Sequence, residues 1–169
     1  SFNQPLNSWN TSNVTNMTRL FANAGSFNQP LNSWNVNNVT DMSYMFTNTA
    51  TYNQPLDNWD VSNVTNMTSM FFLSTSFDHS LASWNVSNVI DMSQMFASAL
   101  GLSVTNYDAT LASWSSQALQ NNVTFDAGTS KYCTSETQRQ SIITNFSWTI
   151  NDGGKQCPPL TTVTSSATS

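Results

Sequence analysis

Cys133 and Cys157 are the only cysteines in the chain, and the chemistry open to such a pair is a disulfide. Closing a loop of about 25 residues stabilises a fold by about 3.5 kcal/mol in the chain-entropy picture. Two unrelated buried thiols are the alternative. A nearly uncharged composition rich in Asn, Ser and Thr reads as secreted and favours the bridge. His79 is the sole histidine and stands in a column otherwise filled by Gln4, Gln29 and Gln54. It therefore reads as drift within a repeat, not as a general base. No acid has an evident base partner, and Cys133 lacks the histidine-paired context of a nucleophile. Asp41 and Asp91 share a column with Asn16 and Asn66, and Asp60 shares one with Asn10, Asn35 and Asn85. Isolated carboxylates with Asn neighbours could touch calcium, but no ligand-dense loop of the EF-hand kind occurs. The expectation is a non-enzymatic chain with no catalytic residue, no metal site and no cofactor.

Asparagine is the other residue type whose spacing invites chemistry. Asn13, Asn38, Asn63 and Asn88 fill one column. Stacked asparagines usually bond the backbone of neighbouring turns, which satisfies groups that would otherwise go unpaired. The functional alternative is N-glycosylation, because Asn13, Asn38 and Asn63 each open an Asn-Val-Thr sequon. Asn122 and Asn145 head further sequons, as do Asn10, Asn16, Asn66 and Asn85. In so Asn/Ser/Thr-rich a chain, many of these arise from composition alone.

The elements that position these groups come from a repeat of 25 residues. Trp9, Trp34, Trp59 and Trp84 recur at that interval, as do Leu6, Leu31, Leu56 and Leu81. Met17, Met42, Met67 and Met92 follow the same interval, and so do Phe21, Phe46, Phe71 and Phe96. Such a period signals a solenoid whose turns bury their apolar faces against one another. The Trp, Met and Phe columns then read as core, not as sugar platforms or a metal box. In the third repeat Leu56, Trp59 and Val61 follow L-x-x-W-x-V, and the alternation of Trp59 and Val61 predicts a short strand. Val64, Met67, Met70 and Phe71 then change to helical spacing, which predicts a short helix or 3₁₀ segment with Ser62 and Asn63 as N-caps. An all-β solenoid is the alternative. Stacked at about 4.8 Å per strand, four turns span about 20 Å.

Residues 107–114 align with 77–84, which predicts a degenerate fifth turn carrying a five-residue insertion. Tyr107, Leu111, Trp114, Ala118 and Leu119 fit an amphipathic helix equally well. Ser135 to Gln138 forms a capping box ahead of a helix reaching Asn145, with Ile142, Ile143 and Phe146 inward. Trp148 and Ile150 read as a strand ended by Asp152-Gly153-Gly154. The domains expected are a four-turn solenoid over 1–100, a fifth turn and disulfide-stapled cap over 101–157, and a Ser/Thr-rich tail over 158–169.

Lys and Arg number 4 against 9 Asp and Glu, a net charge of −5, so nucleic acid has no basic footprint to bind. No stretch approaches the length of a transmembrane helix. Ser1 enters directly at a repeat boundary, which fits either a removed leader or further repeats upstream.

The phrase F-N-Q-P-L-x-x-W-[DN]-V-S-N-V-T-[DN]-M-S-x-M-F, repeated four times over residues 1 to about 100, resembles the BspA-type leucine-rich repeat family of bacterial surface proteins. That family includes the related repeats of mycoplasma surface lipoproteins. Asn106 to Leu111, Lys131 to Cys133 and Trp148 to Ile150 resemble the closing segment of secreted flavobacterial members. The resemblance implies surface display with adhesive or matrix roles, and no shared catalytic residues.

The fold class expected is thus an α/β repeat solenoid, a right-handed leucine-rich-repeat-like stack closed by the disulfide-stapled cap. The function expected is an extracellular or cell-surface structural protein, adhesive or filament-forming. Its partners would be copies of itself, other surface proteins or glycans. Head-to-tail contacts are expected from Phe2, Leu6 and Trp9 on the uncapped first repeat, met by Leu160 and Val163 of the tail as an added strand. The alternative is a module that binds glycans or host protein through the sheet face.

Overall fold

The structure is a computed structural model that describes residues 2–157 and 159. Its regular elements all lie beyond residue 103: α1 (Val104–Trp114), β1 (Thr124–Asp126), α2 (Glu136–Phe146) and β2 (Thr149–Asn151). β1 and β2 pair in parallel, with Thr124 opposite Thr149, Phe125 opposite Ile150 and Asp126 opposite Asn151.

Through the first hundred residues, positions 25 apart lie side by side. Isolated parallel bridges join Asn16 to Asp41, Asp41 to Asn66 and Asn66 to Asp91. Around each bridge, alternate N–H groups donate to the following turn. Met17 reaches the Asp41 carbonyl at 2.9 Å, Arg19 that of Ser43 at 3.1 Å, Phe21 that of Met45 at 2.9 Å and Asn23 that of Thr47 at 2.8 Å. The intervening N–H groups stay local: Leu20 donates to Met17, Ala22 to Arg19 and Ala24 to Phe21. Every backbone donor from Met17 to Ala24, Thr18 included through the Asn16 side chain, thus has a partner.

This arrangement replaces the short helix or 3₁₀ segment expected over Val64, Met67, Met70 and Phe71 with separate turns whose local bonds run three residues back, as in Met70 N–H to the Met67 carbonyl. A helix needs each N–H to turn back four residues with φ negative throughout. Here Arg19, Tyr44, Ser69 and Gln94 stand at φ 53–59°, and Asn23, Asn48, Leu73 and Ser98 at φ 54–63°. These left-handed residues divide the segment into successive tight turns and free alternate donors for the neighbouring turn. Consecutive turns also present apolar residues every three or four positions, so the spacing by itself does not tell them from a helix. The strand expected at Leu56–Val61 is likewise absent. Trp59 N–H folds back onto the Leu56 carbonyl at 3.2 Å, and Val64 N–H onto Val61 at 2.9 Å.

What joins the L-x-x-W segments is the indole. Trp34 Nε1 donates to the Leu6 carbonyl at 3.0 Å, Trp59 to Leu31 at 2.9 Å, Trp84 to Leu56 at 3.0 Å and Trp114 to Leu81 at 3.1 Å. A buried indole N–H needs an acceptor, and the preceding turn supplies it. Inside the stack the Phe21, Phe46, Phe71 and Phe96 rings lie face to face at 5.5, 5.4 and 5.1 Å. Met17, Met42, Met67 and Met92 are buried beside them. Trp9 departs from the core role expected of its column. It stacks on Trp34 at 6.1 Å but remains 55% exposed, because no described residue covers its other side.

Residues 107–114 lie within α1, which ends at Trp114, so Ala118 and Leu119 of the expected amphipathic helix fall outside it. The segment is helical, and it also carries the tryptophan column forward, with Tyr107, Leu111 and Trp114 buried. Beyond it the Met92 and Phe125 positions bridge, β1 leads to β2, and Tyr132 bridges Lys155. α2 buries Ile142, with Ile143 and Phe146 partly buried against the core.

Candidate functional site

The polar columns on the outside of the stack are where most of the singled-out residues meet. Asn38 Nδ2 donates to the Ser12 carbonyl, Asn63 to that of Asn37 and Asn88 to that of Ser62, each at 2.7 Å. A second column escaped the sequence reading. The Asn3 side-chain oxygen accepts the N–H of Asn28, Asn28 that of Asn53, Asn53 that of Asp78 and Asp78 that of Ser103, at 2.7–3.1 Å. Its signal was the second residue of F-N-Q-P, Asn in three turns and Asp78 in the fourth, whose side-chain oxygen stands in for a backbone carbonyl. Asn16, Asp41, Asn66 and Asp91 use their own side-chain oxygen to hold the N–H two residues on, at 2.8–3.0 Å. Thr40 and Thr65 donate their hydroxyls to the carbonyls of Thr15 and Thr40.

Alternation of Asn and Asp in the Asn16 column keeps Asp41 and Asp91 two turns apart, with Asn66 Nδ2 facing Asp41 at 3.4 Å. Burial would raise the Asp41 pKa, but hydrogen bonds from Ser43, Thr18 and Asn66 outweigh it and hold the group below the ordinary carboxylate range. Among the described residues no group of three or more His, Cys, Asp or Glu side chains is gathered to hold a metal ion. His79 Nε2 lies 3.2 Å from the Asn53 carbonyl, in the inter-turn role that Gln29 plays toward Asn3.

The cap is tied by two carboxylates. Asp108 on α1 accepts the N–H groups of Cys133, Thr134 and Ser135 and both hydroxyls of Thr134 and Ser135, at 2.5–3.2 Å. The expected capping box is absent: Ser135 precedes α2 but gives its hydroxyl to Asp108, which ties down the segment leading into the helix from across the fold. Burial pushes the Asp108 pKa up, and these bonds together pull it below the ordinary value. Asp152, whose side chain is 3% exposed, accepts Arg139 Nε at 2.7 Å and the Tyr107 hydroxyl at 2.8 Å. Arg139 also donates to the Ile150 carbonyl at 3.1 Å, the one that points away from β1. Burial, then the Asp152 charge, raises the Tyr107 pKa. Cys133 and Cys157 form a disulfide with their Cα atoms 4.7 Å apart.

The sequons divide by what their amides do. Asn38 and Asn63 spend Nδ2 on the neighbouring turn, and Asn145 donates to the Ser141 hydroxyl at 3.0 Å. Asn13 and Asn122 are exposed, the latter at φ 61°. Of the expected assembly contacts, Phe2 and Trp9 are exposed at 46% and 55% and border, with Leu20, a hollow of about 390 Å³. Leu6 also lines that hollow; it is buried, and its carbonyl accepts the Trp34 indole N–H. Leu160 and Val163 lie outside the described residues. No described helix is long and apolar enough to cross a membrane.

No curated protein and no solved structure matches the chain. A family match covers residues 1–114 and again 48–151, more than half of the sequence and spanning both the stacked turns and the cap. The chain belongs to the family described as Mycoplasma protein of unknown function, DUF285.

Proposed function

We propose that this protein is a non-enzymatic extracellular or cell-surface scaffold of the BspA-type leucine-rich repeat kind, its turns forming a right-handed solenoid, and that it acts by adhesion or by assembling into a filament. The observation that carries the reading is how the polar side chains are used. The Asn28, Asn38, Asn53, Asn63, Asn88 and Thr65 groups each bond the adjacent turn, so the conspicuous asparagines and threonines build a wall. The disulfide suits an oxidising compartment.

The assembly surface we assign is the face around Phe2, Trp9 and Leu20, whose exposed apolar area suits contact with a second copy. Direct stacking of that copy on β2 is opposed by Arg139, which already takes the outward Ile150 carbonyl. The partner contact in this reading includes Leu160 and Val163, which lie outside the described residues.

Electron microscopy and sedimentation of the full chain, without heat or denaturant and over rising concentration, test this. Filaments of regular repeat that Trp9→Lys disperses support the reading. Monomers throughout sink the filament and leave binding of glycans or host protein, to be sought by array screening.

A further inference from the structure

We draw no further inference here: the strongest candidate, the apolar face of the first turn around Phe2, Trp9 and Leu20, belongs to the assembly surface already proposed, and nothing in the structure shows what else covers it.

Discussion

Replacing Tyr52 by Phe should stabilise the protein, although Tyr52 is among its most buried residues. Tyr52 continues an aromatic column, stacked 5.9 Å from Phe27 at 6° and 6.2 Å from Phe77 at 1°. Its neighbours in the column are phenylalanines that are equally buried. The Tyr52 hydroxyl is enclosed and has no hydrogen-bond partner among the described residues. Burial alone drives its pKa far upward, so it stays a neutral phenol. An unsatisfied buried donor costs about 1–3 kcal/mol. Removing it leaves a void of one oxygen atom, whose lost dispersion contacts return a few tenths of a kcal/mol at about 0.1–0.2 kcal/mol each. The net gain expected for Tyr52→Phe is about 1 kcal/mol, or about 2–4 °C in Tm for a chain of this length. Urea titration followed by circular dichroism reads it directly, and Phe77→Tyr should lose a comparable amount. A Tyr52→Phe variant less stable than the parent by about 1 kcal/mol would refute the reasoning, since the hydroxyl must then be bonded.

Leu73 holds φ 58° where Asn23 and Asn48 stand in the neighbouring turns, and a left-handed leucine costs about 1–2 kcal/mol. Leu73→Asn relieves that strain but gives up the burial of a leucine that is only 38% exposed, so the two offset and the urea midpoint should shift by the equivalent of less than about 1 kcal/mol, where a surface Leu→Asn at negative φ would only lose. Asn63→Asp keeps the shape but turns the donor facing the Asn37 carbonyl into an acceptor. The loss expected is about 0.5–1.5 kcal/mol at pH 7, partly recovered near pH 3 where the new carboxyl can donate, and a pH-resolved melting series checks it. Asp108→Asn should cost about 2 kcal/mol, because charged hydrogen bonds to three backbone donors are lost or weakened. The Asp108 folded-state pKa lies below its unfolded value, so its contribution is present above about pH 4 and fades as pH falls further. The parent should therefore lose stability on acidification below about pH 4 more steeply than Asp108→Asn, and equal slopes would remove Asp108 from the account.

The side-chain columns were legible before any coordinates because a 25-residue period places like residues beside like. Once Trp9, Trp34, Trp59 and Trp84 recur without slippage, the stacking of rings follows, and Asn38, Asn63 and Asn88 lie within reach of the backbone of the preceding turn on the exposed side of the stack. The backbone between those columns was harder to read. Val64, Met67, Met70 and Phe71 keep helical spacing in a segment with no helix, because periodicity records which side chains face inward and not where each N–H donates. The left-handed residues that decide the matter are Arg19, Tyr44, Ser69 and Gln94, a mixed column without a glycine to announce it. Trp9 shows the same limit from the other side: it shares the sequence context of Trp34 but not its cover.

The cap divides the two kinds of information most sharply. Composition and a single pair of cysteines sufficed for the Cys133–Cys157 bridge, since only one pairing exists. The amphipathic spacing of Tyr107, Leu111 and Trp114 sufficed for the buried face of α1. Neither pointed to Asp108 as the acceptor that holds the segment leading into α2, or to Asp152 as the shared acceptor of Arg139 and Tyr107. Asp108 bonds residues 25 to 27 positions away, and Tyr107 reaches 45 positions to Asp152. Local sequence sets which face of a segment is apolar. Which carboxylate meets which donor is decided only when the chain closes on itself, because a hydrogen bond depends on ångström-scale approach between segments that no sequence interval encodes.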